Sequence, residues 1–253
     1  MIIRKSQDEL AKMRRAGRIV AGTIDAVLAA VEPGRTTADL DAVAERYIDE
    51  QGAVSSFKGY RGTYPAVICA SIDEEIVHGI PSRRRKLVEG QVLSLDFGAI
   101  WEGYHGDAAI TVFVGGDAPT DQAARLVSVT EEALRAGIAA AQPGGRLSDV
   151  GHAVESVAAP AGFGIIREYG GHGIGREMHE DPFIQNFGKP GRGPDLRPGL
   201  VIAIEPMLTA GGEATRLLSD GWTVVTEDGS LAAHFEHTVA VTEDGPEVLT
   251  RRD

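Results

Sequence analysis

The 253-residue sequence predicts an α+β fold of two pseudo-symmetric halves of helices and antiparallel strands around one shared core. Three observations predict it. Two helices followed by strands occur twice in the same order. The wording repeats as well: PGRTTADLDAVAE (33–45) aligns with PGGRLSDVGHAVE (143–155), so that Asp39 meets Asp149 and Glu45 meets Glu155, and EGQVLSLDF aligns with RPGLVIAIEP, so that Asp96 meets Glu205. Glycine (32) and proline (12) are scattered as turn punctuation with no linker-like run, so residues 1–253 read as one domain with halves of roughly 1–118 and 119–253.

The elements follow in order. Ser6-Gln7-Asp8-Glu9 is a capping-box pattern that starts a helix, apolar spacing carries it to about Val31, and Pro33-Gly34 stops it. A second helix spans about 38–50. Strand patterns follow at 66–72, 92–97 and 108–114, the last two joined by a polar turn around Trp101-Glu102-Gly103. The order then restarts with a helix over about 121–141, the pair Pro143-Gly144, and a helix to about Ala159.

A hydrophobic content of 43% fills a real core at this length, and a formal charge of −12 argues against a nucleic-acid surface. The exception, Ser82-Arg83-Arg84-Arg85-Lys86, reads first as a solvated loop. No apolar run reaches the roughly 18 residues that cross a bilayer, and MIIRKSQDEL lacks a signal peptide's apolar segment, so a cytoplasmic protein is expected. Cys69, the single cysteine, excludes an intramolecular disulfide and a thiolate cluster. Any metal must therefore use His, Asp and Glu.

Carboxylates stand where apolar strands are read. VLSLDF ends near Asp96, VIAIEP near Glu205, Asp107 begins DAAITVFV, and Glu236 lies in HFEHTVAV. A buried, unpaired carboxylate costs several kcal/mol, so four of them need a shared counter-charge, and bases are sparse nearby. Two divalent cations would balance the four, an arrangement known for hydrolysis. Imidazoles come from His172 in GGHGIG, His179 in MHEDP and His78 in IVHGIP. The seven-residue step from His172 to His179 excludes the i, i+4 pair of a zinc HExxH helix, and GGHGIG lacks the lysine of a phosphate loop. His105, His152 and His234 receive no role; His237 is placed beside Glu236 as a positioning neighbour.

IVHGIP, LDFG, GYHGDAA, GGHGIG, MHEDP, IEPML and FEHT, in this order and spacing, resemble type I methionine aminopeptidases over nearly the whole chain. The resemblance implies the pita-bread fold and removal of the N-terminal methionine of nascent chains when the second residue is small. It implies two divalent cations drawn from Co, Mn, Fe, Ni or Zn, with Asp96 on one, Asp107 and Glu236 bridging, and His172 and Glu205 on the other. Glu205 then also shuttles a proton, His179 bonds the developing oxyanion and His78 contacts the substrate's peptide group. A methionine pocket would be lined by Tyr60, Tyr64, Cys69, Met178 and Trp222. The chain departs from the family pattern in GYRGTYP, one residue longer than the usual GYxGYP, in Met178 for a common phenylalanine, and in Val77 for a common cysteine. About 25 residues separate His179 from Glu205, too few for the type II insertion. Prolidases share the ligands but generally carry an extra N-terminal domain, and a metal-free binding module would have no need of the acids. Methionyl peptides are the expected partners of a monomer that binds neither membrane nor specific DNA. The Arg83-Arg84-Arg85 loop is the place to look for a transient ribosome contact.

Overall fold

Helix α1 (Gln7–Leu28) starts where the capping box predicts. The Glu9 amide donates to the Ser6 hydroxyl at 3.3 Å and the Ser6 amide donates to the Glu9 carboxylate at 2.8 Å, which satisfies orphan donors of the first turn. This computed structural model describes residues 2–252; Met1 and Asp253, the ends of the expected 1–253 span, lie outside them. Thr36 and Asp39 cap α2 (Thr37–Glu50) in the same way. The strands β1 (Val54–Ser55), β2 (Ile68–Ile72), β3 (Glu75–Val77), β4 (Val92–Trp101) and β5 (Tyr104–Phe113) follow. β1, β2 and β5 all pair antiparallel with β4.

The β4–β5 hairpin is longer than the sequence pattern suggests. Glu102 and Gly103 both adopt positive φ (47° and 78°), the twist that a two-residue hairpin turn requires, so the residues on either side are drawn into register up to the Trp101–Tyr104 pair. Asp107 therefore sits inside β5 rather than at its start.

After α3 (Asp121–Ala140) and α4 (Leu147–Ala158) come β6 (Gly164–Ile165), β7 (Gly171–Gly173), β8 (Glu180–Ile184), β9 (Val201–Ile204) and β10 (Met207–Thr209). They are followed by β11 (Thr215–Leu217), β12 (Val224–Thr226), β13 (Ala232–His234), β14 (His237–Thr242) and β15 (Gly245–Val248). A five-stranded sheet takes the order β15-β14-β9-β7-β8.

The repeated wording is a repeated structure. Gly34 and Gly144, at φ 91° and 86°, donate at 2.8 Å to the carbonyls of Leu87 and Leu196. Those two leucines are buried and return bonds to Arg35 and Gly145. Asp39 and Asp149 each accept from the amide three residues earlier. β4 pairs with β2 and β5 as β9 pairs with β7 and β14.

One apolar cluster packs α1 and α2 on the first sheet through Ile19, Ile24, Leu40, Ile68 and Leu95. Another packs α3 and α4 on the second through Leu134, Val150, Ile202, Ile204 and Val239. A third joins the halves, with Leu10, Met13 and Tyr104 against Ile174, Val201 and Ala240. At about 1.5–3 kcal/mol for each buried aliphatic side chain, these clusters are the main source of stability. Polar bonds align the seam between the sheets. Ala109 and Glu236 exchange backbone bonds at 3.3 and 3.0 Å. The Thr238 hydroxyl accepts from the Asp107 amide at 2.9 Å and donates to the Asp107 carbonyl at 2.7 Å. Among the described residues, no helix is long and apolar enough to cross a membrane.

Candidate metal centre

Each acid is delivered by a different backbone feature. Asp96 lies within β4, across from Cys69 on β2 and Ala109 on β5. Asp107 lies within β5 opposite Gly98. The two glutamates, read from sequence as strand residues, occupy strand breaks instead. Glu205 follows the last residue of β9, where Pro206, lacking an N–H, interrupts the ladder before β10. Glu236 stands between β13 and β14. His172 lies in β7, between Ala203 of β9 and Phe183 of β8.

The side chains then converge. His172 Nδ1 lies 2.9 Å from the Gly173 carbonyl, an acceptor, so Nδ1 carries the proton and Nε2 presents a lone pair. Nε2 is 3.7 Å from Asp107 Oδ2 and 3.6 Å from Glu205 Oε1. These separations are too long for hydrogen bonds, yet they suit two ligands of one ion, since bonds of about 2.0–2.2 Å opening a tetrahedral or wider angle set donors about 3.3–3.8 Å apart.

Asp96 Oδ1, Asp107 Oδ1 and Glu236 Oε1 are buried without any hydrogen-bond partner. Burial pushes the Asp96 carboxyl up to about 7 and those of Asp107, Glu205 and Glu236 well above the carboxylate range, with carboxylate neighbours adding to the last three. The described residues supply no Lys or Arg ion pair to any of them; their charged-pair neighbours are histidines. Orphaned, mutually repelling oxygens with an imidazole lone pair among them fit divalent cations.

One residue missed in the sequence belongs here. His234, buried at the end of β13, holds Nε2 3.6 Å from Glu205 Oε2 with no hydrogen-bond partner. Glu205 thus lies between two imidazoles, one facing each oxygen. The donor atoms of Glu205, His234 and Glu236 lie within 4.8 Å of one another, as do those of Asp107, His172 and Glu236. The spacing HxE in HFEH was the available signal. His237, expected beside Glu236, instead engages Thr250 Oγ1 through Nδ1 at 2.9 Å.

A cavity of about 260 Å³ opens onto these groups, and all twelve residues singled out in the sequence line it. Its apolar wall comprises Phe57, Tyr64, Cys69 and Met178, with Tyr60 and Trp222 packed against them. The Tyr64 hydroxyl donates to the Ile68 carbonyl at 2.9 Å, which fixes its ring, and burial pushes the Cys69 thiol up so that it stays protonated. His78 adopts a left-handed backbone (φ 61°), a strain tolerated at functional sites. Burial, then His179 and Arg61, holds its imidazole down at about 4. His179 is kept below its ordinary value by desolvation in the cavity mouth and by the Arg61 guanidinium. Its ring lies 4.2 Å from that of His172 and its Nδ1 lies 2.8 Å from the Tyr60 hydroxyl. Phe57, Tyr169 and Met207 also line the cavity, unforeseen because each reads as ordinary core.

The two-half fold and its buried acid–imidazole cluster define a metal-dependent hydrolase of the pita-bread class. A model of metallopeptidase family M24 matches residues 11–243, and the chain belongs to that family. Its similarity is sharper still to methionine aminopeptidases. It is 51% identical over 250 residues to the methionine aminopeptidase of Clostridium acetobutylicum, covering 99% of both chains. It is 53% identical over 256 residues to methionine aminopeptidase 1 of Mycobacterium tuberculosis, covering 99% of this chain and 95% of that one. The crystal structure of methionine aminopeptidase from Thermotoga maritima superimposes with a TM-score of 0.97 at 43% identity, over the whole of both chains. The prolidase of Pyrococcus furiosus shares the fold, with a TM-score of 0.79 at 22% identity over 99% of this chain and 66% of that one.

Proposed function

We propose that this chain is a methionyl aminopeptidase, hydrolysing the first peptide bond of polypeptides that begin with methionine and a small second residue. One observation carries the reading: ligand-type side chains with unpaired buried oxygens and a wall of Phe57, Tyr64, Cys69 and Met178 share a single cavity. The full-length relatives named for the same activity support it.

In this reading 1–253 is one catalytic domain. Asp96, Asp107, His172, Glu205 and Glu236 hold two divalent cations, which supply Lewis acidity and a water-derived nucleophile at neutral pH. The apolar wall takes the methionine side chain, soft sulfur against aromatic rings, and keeps water from it. His179 donates to the carbonyl oxygen as charge develops there, and His78 bonds the substrate's peptide group. Glu205 takes a proton on its carboxylate and passes it to the leaving amine. Tyr60, Tyr169 and Trp222 crowd His78 and His179 at the mouth, which disfavours a large second side chain. The enzyme works as a cytoplasmic monomer on nascent chains. Arg83, Arg84 and Lys86 are exposed for a ribosome contact, whereas Arg85 is committed to an ion pair with buried Glu75.

Protein stripped with chelator and reloaded with Co, Mn, Fe, Ni or Zn singly should bind two ions per chain by elemental analysis. It should release methionine from Met-Ala peptides and not from Met-Leu peptides. Release of any first residue from X-Pro peptides without methionine preference would instead make it a prolidase-type enzyme.

A further inference from the structure

The loop Gly59–Pro65 at the cavity mouth does something specific. Gly59, Arg61 and Gly62 all lie in the left-handed region, at φ 81°, 47° and 76°. The Gly59 amide donates to the Tyr64 carbonyl and the Tyr60 amide to the Phe57 carbonyl, both at 2.8 Å, which closes a tight turn. The Arg61 guanidinium packs 5.6 Å from the centre of the Tyr60 ring. This turn carries Tyr60 across the cavity mouth, where its hydroxyl meets His179 Nδ1 at 2.8 Å while its ring stands 6.5 Å from Trp222. The Tyr60 hydroxyl has no second protein partner among the described residues.

We propose that Tyr60 is a positioning residue: its hydroxyl donates to His179 Nδ1 and thereby holds the imidazole as the Nε2–H tautomer. This rests on the aminopeptidase reading above, in which His179 must present a donor to the substrate's carbonyl oxygen. Neutral imidazole carries one proton, so a donor at Nε2 requires Nδ1 to be the acceptor. A phenol is a far stronger hydrogen-bond acid than a neutral imidazole N–H, so the contact is O–H···N rather than N–H···O. Without the phenol, the proton distributes between the two ring nitrogens, and the Nδ1–H form turns a lone pair toward the carbonyl oxygen. Tyr60 then acts on the rate through His179, without touching the reacting atoms.

The test is nitrogen NMR of full-length, 15N-histidine-labelled, zinc-loaded protein, with His179 assigned by loss of its signals in His179→Gln. In the wild type, His179 should show a protonated Nε2 and an acceptor-type Nδ1. In Tyr60→Phe, which keeps the ring and its packing, both nitrogens should move toward averaged values. For a Met-Ala peptide, kcat should fall about tenfold with KM little changed. A wild-type His179 protonated at Nδ1 would overturn the proposal before any variant is made. So would a Tyr60→Phe spectrum unchanged from the wild type, or a shifted spectrum with full kcat. The tautomer is read without turnover, so wild-type protein that releases no methionine would refute the aminopeptidase reading while the spectrum still reports on Tyr60.

Discussion

His172 and His234 both face Glu205, with Nε2 of each 3.6 Å from a different carboxylate oxygen. His172 has its proton committed to the Gly173 carbonyl, whereas His234 Nε2 is buried without a hydrogen-bond partner. An unsatisfied buried nitrogen is costly, and its retention beside a carboxylate points toward the cations. Replacing His234 by Ala should weaken divalent-metal binding about 10- to 100-fold, the usual effect of losing a group that orients or supplements a ligand. Calorimetric titration of the stripped protein with zinc measures this, and an unchanged affinity would leave His234 as packing alone. His234 receives no role from the sequence because its AAHF segment reads as ordinary strand, which leaves the HxE spacing of HFEH as the one signal. Only the approach of β13 to the end of β9 shows what the histidine faces.

At the scale of elements, apolar strands carry the acids into places where water cannot serve them. The four acids should therefore make an inverted contribution to the pH response of the metal-free protein, opposed by the buried histidines, whose values burial holds down. Asp96, Asp107, Glu205 and Glu236 have folded-state values above their unfolded ones, up to about 7 for Asp96. At these four sites the folded state binds more protons than the unfolded state, so their contribution favours folding at low pH and is lost as pH rises above about 4, through about 7 for Asp96. Scanning calorimetry across that range should show the gap between metal-loaded and metal-free melting temperatures widening with pH. A gap that stays constant would mean that the acids ionise without cost. The helices and their caps were legible because Ser6–Glu9 and Thr36–Asp39 are local contacts. The strand breaks at Glu205 and Glu236 were not, since a continuous apolar run hides where a ladder stops.

The whole molecule is two similar halves whose joint builds the site. Asp107 comes from the first half and Glu236 from the second, and Thr238 bonds both the amide and the carbonyl of Asp107 across 131 residues of chain. Thr238→Val keeps the shape and removes both bonds, leaving the Asp107 amide buried and unpaired. It should destabilise the protein by about 1–3 kcal/mol in urea titration and weaken metal binding with it. Lost stability with intact metal affinity would show that the joint does not set the spacing of Asp107 and Glu236.

The amino-acid order by itself determined the duplicated helix–strand plan and the ligand-type residues. Caps, glycine turns and apolar periodicity act over a few residues, and acids in apolar strands are conspicuous wherever they stand. The tertiary structure alone decided which groups meet. Tyr60 reaches His179 over 119 residues, and His234 rather than His237 turns toward Glu205. Those contacts depend on how two sheets align across a seam, which is a property of packing between distant segments rather than of any one of them.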